Sequence, residues 1–369
     1  MSDRRTGETR SFLKRALSLI CWCGSLGALT FCALGLSTFV APDYWFTDNM
    51  SFFLRQLLAG GFVGCLAGLV GLLMRHRFAI LYRLTWALAV IALVSLTALT
   101  GARTLENVAD TEALQTGELP VKIISINIEH LFLGDETLAT FLEQEKPDIL
   151  VIQEALWWLQ ERRWERLGLP VGGAGANGFP SNLKVGTMGS LVVYSRFPIL
   201  QDKSHVVKGD LHEGAKLIHD PDRELLQLKL ETDAGPFDLL SVHPDSPRNH
   251  VRWLNKRLYF DTADAIMHEL RETGSDPLIV IGDWNSSPWS ARFQRTLAEN
   301  NLRTAYPGGW PQTTRFFFDY RLHWILGAPV DQFAVSGNVR VLSVSTGPDI
   351  GSDHLPLIVE LALPRSNAN

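Results

Sequence analysis

Cysteine is scarce and segregated in this 369-residue chain. There are four, Cys21, Cys23, Cys32 and Cys65, and all lie in the apolar N-terminal third. The rest of the chain has none, so no disulfide framework supports it. Cys21-x-Cys23 lacks the spacing and partner ligands of a zinc site, and the four read as small apolar side chains in lipid. Their use leaves the redox compartment open. There is no G-x-x-x-x-G-K-[ST] loop, no H-E-x-x-H helix and no G-x-S-x-G elbow, which removes three common routes to nucleotide, peptide and ester chemistry. No internal repeat and no low-complexity run appears.

Charge is unevenly spread. Residues 1–100 hold nine of the 34 Lys/Arg and four of the 39 Asp/Glu, so this part is +5 and the remainder −10. Such asymmetry points to segments in different surroundings. The acidic part is poorly suited to non-specific nucleic-acid binding, which relies on Lys/Arg neutralising phosphates. Bound metal ions can still bring local positive charge.

Three apolar, uncharged stretches, about 16–40, 57–74 and 84–101, have the length expected of membrane spans. Arg4, Arg5, Arg10, Lys14 and Arg15 precede the first, and Arg75, Arg77 and Arg83 separate the second from the third. The first loop holds Asp43, Asp48 and only Arg55, with Tyr44 and Trp45 at an interfacial position. The positive-inside rule places the N-terminus in the cytoplasm and everything after the third span outside it. A cleaved signal peptide is the rival reading of the first span. Gly60, Gly64 and Gly68 form overlapping G-x-x-x-G steps, read as packing among the chain's own helices rather than dimerisation. The expected organisation is an anchor over 1–101, a linker over 102–119, a catalytic domain over 120–363 and a tail over 364–369.

Strands are expected at 121–128, 148–154, 190–195, 224–231, 237–243, 278–283, 320–327, 339–345 and 355–362, which are rich in Val, Ile and Leu. Helices are expected at 135–146, 156–167, 249–272 and 291–300, and 171–188 reads as a mobile loop. Many strands with few intervening helices predict an α/β fold: two packed, mostly antiparallel sheets flanked by helices in a four-layer sandwich.

Several polar residues end or interrupt apolar strands: Asn127 in SINIE, Glu154 in VIQE, His243 in LLSVH, Asp283 and Asn285 in LIVIGDWN, and Asp353 and His354 in GSDHLPL. Each alone reads as a cap or turn residue; seven together favour a cleft presented by a rigid scaffold. Carboxylates with amide oxygens suit a hard cation such as Mg²⁺, with Mn²⁺ the alternative. Histidines can donate to phosphate oxygens or move protons. Together these residue types fit metal-assisted attack of water on a phosphate ester.

The ordered set SINIE, DILVIQE, GSLVVYSRFPI, SVHP, GDWNSSPWS and GSDHLP across residues 120–363 resembles the endonuclease/exonuclease/phosphatase, deoxyribonuclease-I-like superfamily. The three preceding spans resemble its bacterial membrane-associated members. The resemblance implies that Glu154 is the main metal ligand, with Asp353 and Glu129 beside it and Asn127 supporting metal or phosphate. It also implies that Asp283 orients or activates water, Asn285 stabilises the transition state, and His243 and His354 contact the scissile phosphate. One position departs: aligned against R-I-D-H-I-L, the stretch Arg321–Leu326 puts His323 where the family has an Asp that orients the last histidine. Asp319 is a partial substitute.

Trp157, Trp158 and Trp164 read first as packing. Trp284 and Trp289 flank Asn285 and are expected at the cleft mouth. Arg248, Arg252, Lys256 and Arg257 read as a solvated helix face or, alternatively, as phosphate steering, chiefly by Arg252 and Arg257. The leading expectation is a multi-pass protein of a bacterial cytoplasmic (inner) membrane, held in the bilayer by three helices. Its extracytoplasmic domain is expected to be a Mg²⁺-dependent phosphodiesterase acting on a lipid head group, a small diester or a nucleic acid. An extracytoplasmic nuclease and a catalytically silent binding protein are the alternatives. The sequence says nothing about oligomeric state.

Overall fold

The computed structural model describes residues 2–73, 80–129, 134–170, 172–173, 179–210, 221–274 and 276–365. Arg75, Arg77, residues 171 and 174–178 of the expected loop, and the end of the tail lie outside the described residues, as do the side chains of Arg4, Arg5, Arg10 and Lys14. The chain divides into two compact units, Met1–Leu105 with Trp289–Ala291, and Glu106–Pro288 with Arg292–Asn369.

The first unit contains α1 (Ser2–Val40), a short α2 (Trp45–Met50), α3 (Leu54–Leu73) and α4 (Ile80–Thr104). Among the described residues three helical stretches are long and apolar enough to cross a membrane: Arg15–Val40, Trp45–Leu72 and Ile80–Thr104, of 26, 28 and 25 residues. The second and third begin earlier than hydropathy alone placed them. At 1.5 Å per residue each exceeds a ~30 Å hydrocarbon core. The small-residue face of α3 lies against its own neighbours. A Cβ on Gly64 would meet the Gly24 carbonyl and Ala28 of α1, and one on Gly68 would meet Ser25 of α1 and Trp86 of α4. The G-x-x-x-G steps therefore serve close packing inside the bundle.

The second unit is a sandwich of two six-stranded sheets. The first has the order β13 (Arg340–Thr346), β14 (Leu357–Leu363), β1 (Leu119–Asn127), β2 (Ile149–Gln153), β4 (Leu191–Ser195), β3 (Leu183–Val185). The second has the order β5 (Ile199–Val207), β6 (Arg223–Thr232), β7 (Gly235–Val242), β8 (Leu278–Asp283), β12 (Asp331–Ser336), β9 (Leu302–Arg303). A short hairpin pairs β10 (Arg315–Phe316) with β11 (Gly327–Ala328). Most rungs are antiparallel, but β1 pairs parallel with β2, and β7 with β8.

Strand alternation builds the layers. In β1, Val121 and Ile123 enter the core between the sheets, while Ile124 and Ile126 pack outward beside Leu138 and Leu142 of α5 (Asp135–Glu145) and Trp158 of α6 (Leu156–Gln160). In β7, Leu239 faces the inter-sheet core, and Leu240 and Val242 face Tyr259 and Phe260 of α7 (His250–Thr273) and Phe293 of α8 (Ala291–Glu299). Trp158 and Trp164 lie in the outer core, as the packing reading expects.

Three local expectations need correction. The 320–327 strand does not form: Tyr320–Leu322 is a 3-10 turn, and Trp324 is 65% exposed. That stretch has no buried face to pair. The strand lies instead at β12, where Phe333 and Val335 alternate into the inter-sheet core and Ala334 packs outward. The helix expected over 156–167 breaks at Arg162, which adopts a left-handed conformation (φ 51°). The stretch read as a linker over 102–119 is largely pinned. Its first residues complete α4, Val108 and Thr111 bridge to Thr304 and Val341, and Arg340 binds Glu112 and Glu118.

Candidate active site

Both parallel pairs run towards the same edge of the sandwich, and their carboxyl ends supply the polar residues. Asn127 ends β1, Glu154 follows β2, His243 follows β7 and Asp283 ends β8. Gly282 makes the last possible. Its φ is 151°, and a Cβ there would run into the Val242 carbonyl of β7. Glu154 and Asn285 have positive φ, 59° and 42°, a costly conformation for residues with a side chain.

Asn127 joins the two sheets. Its Nδ2 donates to Glu154 Oε1 at 3.0 Å and to Asp283 Oδ2 at 3.1 Å, and its Oδ1 accepts from the Glu129 amide at 3.1 Å. His243 Nε2 lies 3.3 Å from Glu154 Oε1 and 3.7 Å from Asp283 Oδ2. Its backbone is fixed from below: the amide donates to Tyr259 Oη, which donates onward to the Glu224 carbonyl. Asn285 donates from its amide to Asp283 Oδ1 at 2.8 Å and from Nδ2 to the Pro244 carbonyl at 3.1 Å. Beneath it, buried Lys256 donates to the Asn285 carbonyl at 3.2 Å.

His354 settles the apparent departure at His323. Its Nδ1 lies 2.9 Å from Asp331 Oδ2, and both side chains are 1% exposed. The opposite nitrogen, Nε2, lies 3.8 Å from Asp283 Oδ2. The carboxylate that orients the last histidine is thus Asp331, the first residue of β12, in register with Asp283. His323 is elsewhere: it stacks on Tyr320 at 4.7 Å, and its Nδ1 lies 2.6 Å from the Tyr320 carbonyl oxygen. Asp319, offered as a substitute, is paired with Arg321 at the surface.

The electrostatics follow from this packing. Burial works to raise the Glu154 carboxyl, but the hydrogen bond and charge of His243, with Asn127 and His354, hold it well below the ordinary range. Burial pushes Asp283 up, and His354 and His243 only partly offset this. Burial works to lower His354, yet Asp331 and Asp283 raise it to about 9. The site therefore favours an imidazolium backed by carboxylates.

The donor set fits a hard divalent cation. Asp283, Asp331 and His354 each place a ligand atom within 4.8 Å of the others. Within that trio, however, Asp331 Oδ2 already engages His354 Nδ1, so an ion there competes with an internal hydrogen bond. Oxygen donors closer to the cleft are better placed. Glu154 and Glu129 line it, and among the described residues the buried Asp353 Oδ1 has no hydrogen-bond partner. Arg315 Nε donates to the other Asp353 oxygen at 3.2 Å and aims the carboxylate.

The cleft has a volume of about 390 Å³ and also exposes Ser190, Arg223, Arg248 and Arg252. Of the weaker sequence candidates, only Arg252 lines it. Arg257 sits over the Trp253 ring at 4.9 Å. Trp284 is core, packed on Phe293 with its Nε1 donating to the Gln332 carbonyl. Trp289 is fully buried, and its Nε1 donates to Thr104 Oγ1. Both indoles are too apolar to stay at a wet rim when a core lies within reach. The sequence reading missed Asp331, Arg315 and the positioning role of Lys256. Asp331 opens its apolar strand rather than ending it, and the alternation over 320–327 draws the strand away from it.

The sequence model described as "Endonuclease/Exonuclease/phosphatase family" matches residues 124–354. Solved structures with a similar chain path include an endonuclease/exonuclease/phosphatase from Beutenbergia cavernae, with 18% identity, TM-score 0.46 and coverage of 66% of this chain and 72% of that one. A mannosyl-6-phosphatase from Bacteroides thetaiotaomicron gives 17%, 0.45, 65% and 99%. The human Nocturnin catalytic domain with bound sulfate gives 17%, 0.45, 66% and 95%. A search of curated proteins finds no match.

Proposed function

The chain belongs to the endonuclease/exonuclease/phosphatase family, whose members are phosphoester hydrolases, and from that premise we propose that it is a membrane-anchored, Mg²⁺-dependent phosphodiesterase with its catalytic domain outside the cytoplasm. The observation that carries the reading is the buried His354–Asp331 pair set against Asp283, with Glu154 and His243 across the same cleft. Glu154, assisted by Asp353 and Glu129, is the main candidate to hold a divalent ion. When bound, that ion supplies Lewis-acid polarisation of the phosphoryl group and offsets developing charge.

The chain's own residues do the rest. Asp283 sits where a carboxylate orients an attacking water and takes its proton. Its pKa, raised by burial, suits a base better than that of an exposed aspartate. His354, held charged by Asp331, donates through Nε2 to a phosphate oxygen, and His243 faces the same space. Asn285 is fixed to stabilise the crowded transition state, and Asn127 holds Glu154 and Asp283 in mutual register. The basic flank of the first span and the acidic character of the second unit support the extracytoplasmic placement. With Asp331 as the carboxylate for His354, the His323 position is no argument for a catalytically silent protein.

The test is hydrolysis of bis(p-nitrophenyl) phosphate, a lipid diester in vesicles and plasmid DNA by the full chain in detergent. Mg²⁺-dependent diester cleavage, abolished by chelation and by Asp283→Ala or His354→Ala, supports the reading. Activity on none of these, or activity indifferent to both substitutions, rejects it, and DNA nicking without lipid cleavage moves the assignment to a nuclease. A reporter fused after Asn369 checks sidedness: a cytoplasmic signal refutes the orientation.

A further inference from the structure

Arg315 stands in the catalytic cleft as a fixed cation among carboxylates. Its Nε donates to Asp353 Oδ2 at 3.2 Å, its Nη2 lies 3.2 Å from the same oxygen, and Nη2 is 4.0 Å from Glu129 Oε2. The backbone fixes this placement: Arg315 bridges to His354, and the Phe316 amide donates to the Asp353 carbonyl at 2.9 Å. The side chain is 16% exposed and lines the cleft. Glu129 has a second cation near it, since its charge also acts on Arg252.

The plain reading is a brace, one guanidinium aiming one acid. It accounts for the Asp353 contact but not for the charge. Asn127 aims Glu154 with a neutral amide at 3.0 Å, and the other neighbour of Glu154, His243, is an imidazole that need carry no charge. Among the described residues no arginine pairs with Glu154. The carboxylates suited to a divalent ion are therefore treated differently: Glu154 keeps its charge for a cation, while Asp353 and Glu129 already face a guanidinium. Arginine stays protonated in proteins, so this cation does not titrate away. Two ions in one hydrolytic site stand about 3.5–4 Å apart and need acidic oxygens on both sides. A second ion beside Arg315 would meet a like charge where it needs those oxygens.

We propose that Arg315 occupies the second cation position of the site, so that the chain binds one divalent ion, held chiefly by Glu154, and a guanidinium stands in place of the other. The inference rests on the metal-dependent phosphodiesterase reading and deepens it. Arg315 Nη1 makes no hydrogen bond among the described residues and is the donor left to meet a phosphate oxygen.

Manganese titration of the full chain in a non-ionic detergent, followed by electron paramagnetic resonance without substrate, reads the ion count independently of turnover. The parent should bind one Mn²⁺ per chain, with the spectrum of an isolated ion, and Glu154→Gln should lose it. Arg315→Met, which keeps the length of the side chain and removes its charge, should take up a second ion and show the spin coupling of a close pair. Arg315→Lys, which keeps the charge, should stay at one. A coupled pair in the parent overturns the proposal whatever the variants do. So does a single ion in Arg315→Met or in Arg315→Gln, whichever melts cooperatively. Hydrolysis of bis(p-nitrophenyl) phosphate then separates the two claims. One ion in the parent and two in Arg315→Met, with no cleavage, leaves the cation assignment and refutes the phosphodiesterase; cleavage by a parent that holds two ions does the reverse.

Discussion

Asp331→Asn isolates the contact that the structure adds to the sequence reading. The substitution keeps the shape of a side chain that is 1% exposed, but it removes the charge facing His354 Nδ1 at 2.9 Å. Burial alone would drive the imidazole neutral; Asp331 is the largest influence in the other direction, and with Asp283 and Asp353 it raises His354 to about 9. Losing the largest of these influences, together with the fixed tautomer, should lower kcat on a generic diester about 100-fold, with little change in KM if His354 acts mainly in the transition state. The sign of the pH dependence follows. The parent keeps the charged ring until pH approaches 9, whereas the variant loses it from the acid side, so the rate ratio should widen as pH rises from 6 to 9. Steady-state kinetics across that range, with His323→Ala in parallel, form the assay. His323→Ala should stay within about 3-fold of the parent, since that ring stacks on Tyr320 at 4.7 Å and has no part in the dyad. A loss below 3-fold in Asp331→Asn at pH 8, or a larger loss in His323→Ala, refutes the assignment.

Two further outcomes concern stability. Asp264 on α7, paired with Arg292, is raised by burial to about 6. A carboxyl whose folded pKa exceeds its unfolded value near 3.8 binds a proton in the fold before it does in the unfolded chain. Stability therefore falls as pH climbs from about 4 to 6, by an amount on the order of 3 kcal/mol. Asp264→Asn should flatten that slope in melting curves taken at pH 4.5 and 7.5, and parallel slopes in the two proteins would count against it. Gly282→Ala should destabilise the catalytic unit by about 4 kcal/mol or more, because the new Cβ is aimed at the Val242 carbonyl. A soluble, cooperatively melting variant with a parental midpoint would show that the backbone relaxes there.

The residues legible in the sequence share one trait: each sits at the end of its own apolar run. Asn127, Glu154, His243 and Asp283 could be found because a strand reads locally and its last residue is exposed to whatever lies at the sheet edge. Asp331 opens β12, and its meaning comes from pairing across the sheet with Asp283, a register set by residues nearly fifty positions apart. Local pattern placed a strand at 320–327 instead, because Leu322, Trp324 and Leu326 alternate there as strand residues do. Only the inter-sheet core decides between the two runs, taking Phe333 and Val335 and leaving Trp324 outside. The tryptophans beside Asn285 failed for a related reason. Proximity in sequence to the cleft does not set side-chain direction, and Trp284 turns into the core formed with Phe260 and Phe293.

The site straddles two sheets, and this gives the inter-sheet core a catalytic consequence. Asn127 ends a strand of the first sheet and Glu154 follows another; Asp283 and Asp331 lie in strands of the second, and His243 follows a third. With every cysteine at or before Cys65, no disulfide ties the two sheets together, and their spacing is set largely by the packed side chains below, among them Ile281, two residues before Asp283 and fully buried. Leu297 on α8 is equally buried but packs on the outer face of the second sheet. Ile281→Ala and Leu297→Ala should each cost about 2–5 kcal/mol of stability. Their effects on kcat should differ. Slack between the sheets lengthens the Asn127–Asp283 contact, now 3.1 Å, and a misplacement approaching 1 Å is worth about 100-fold in rate. Ile281→Ala should therefore lose at least about 10-fold in kcat at a temperature where both variants remain folded, while Leu297→Ala stays within about 2-fold. Equal kcat losses in the two variants would mean that the sandwich transmits packing defects to the site from either face, and that the inter-sheet layer has no special hold on its geometry.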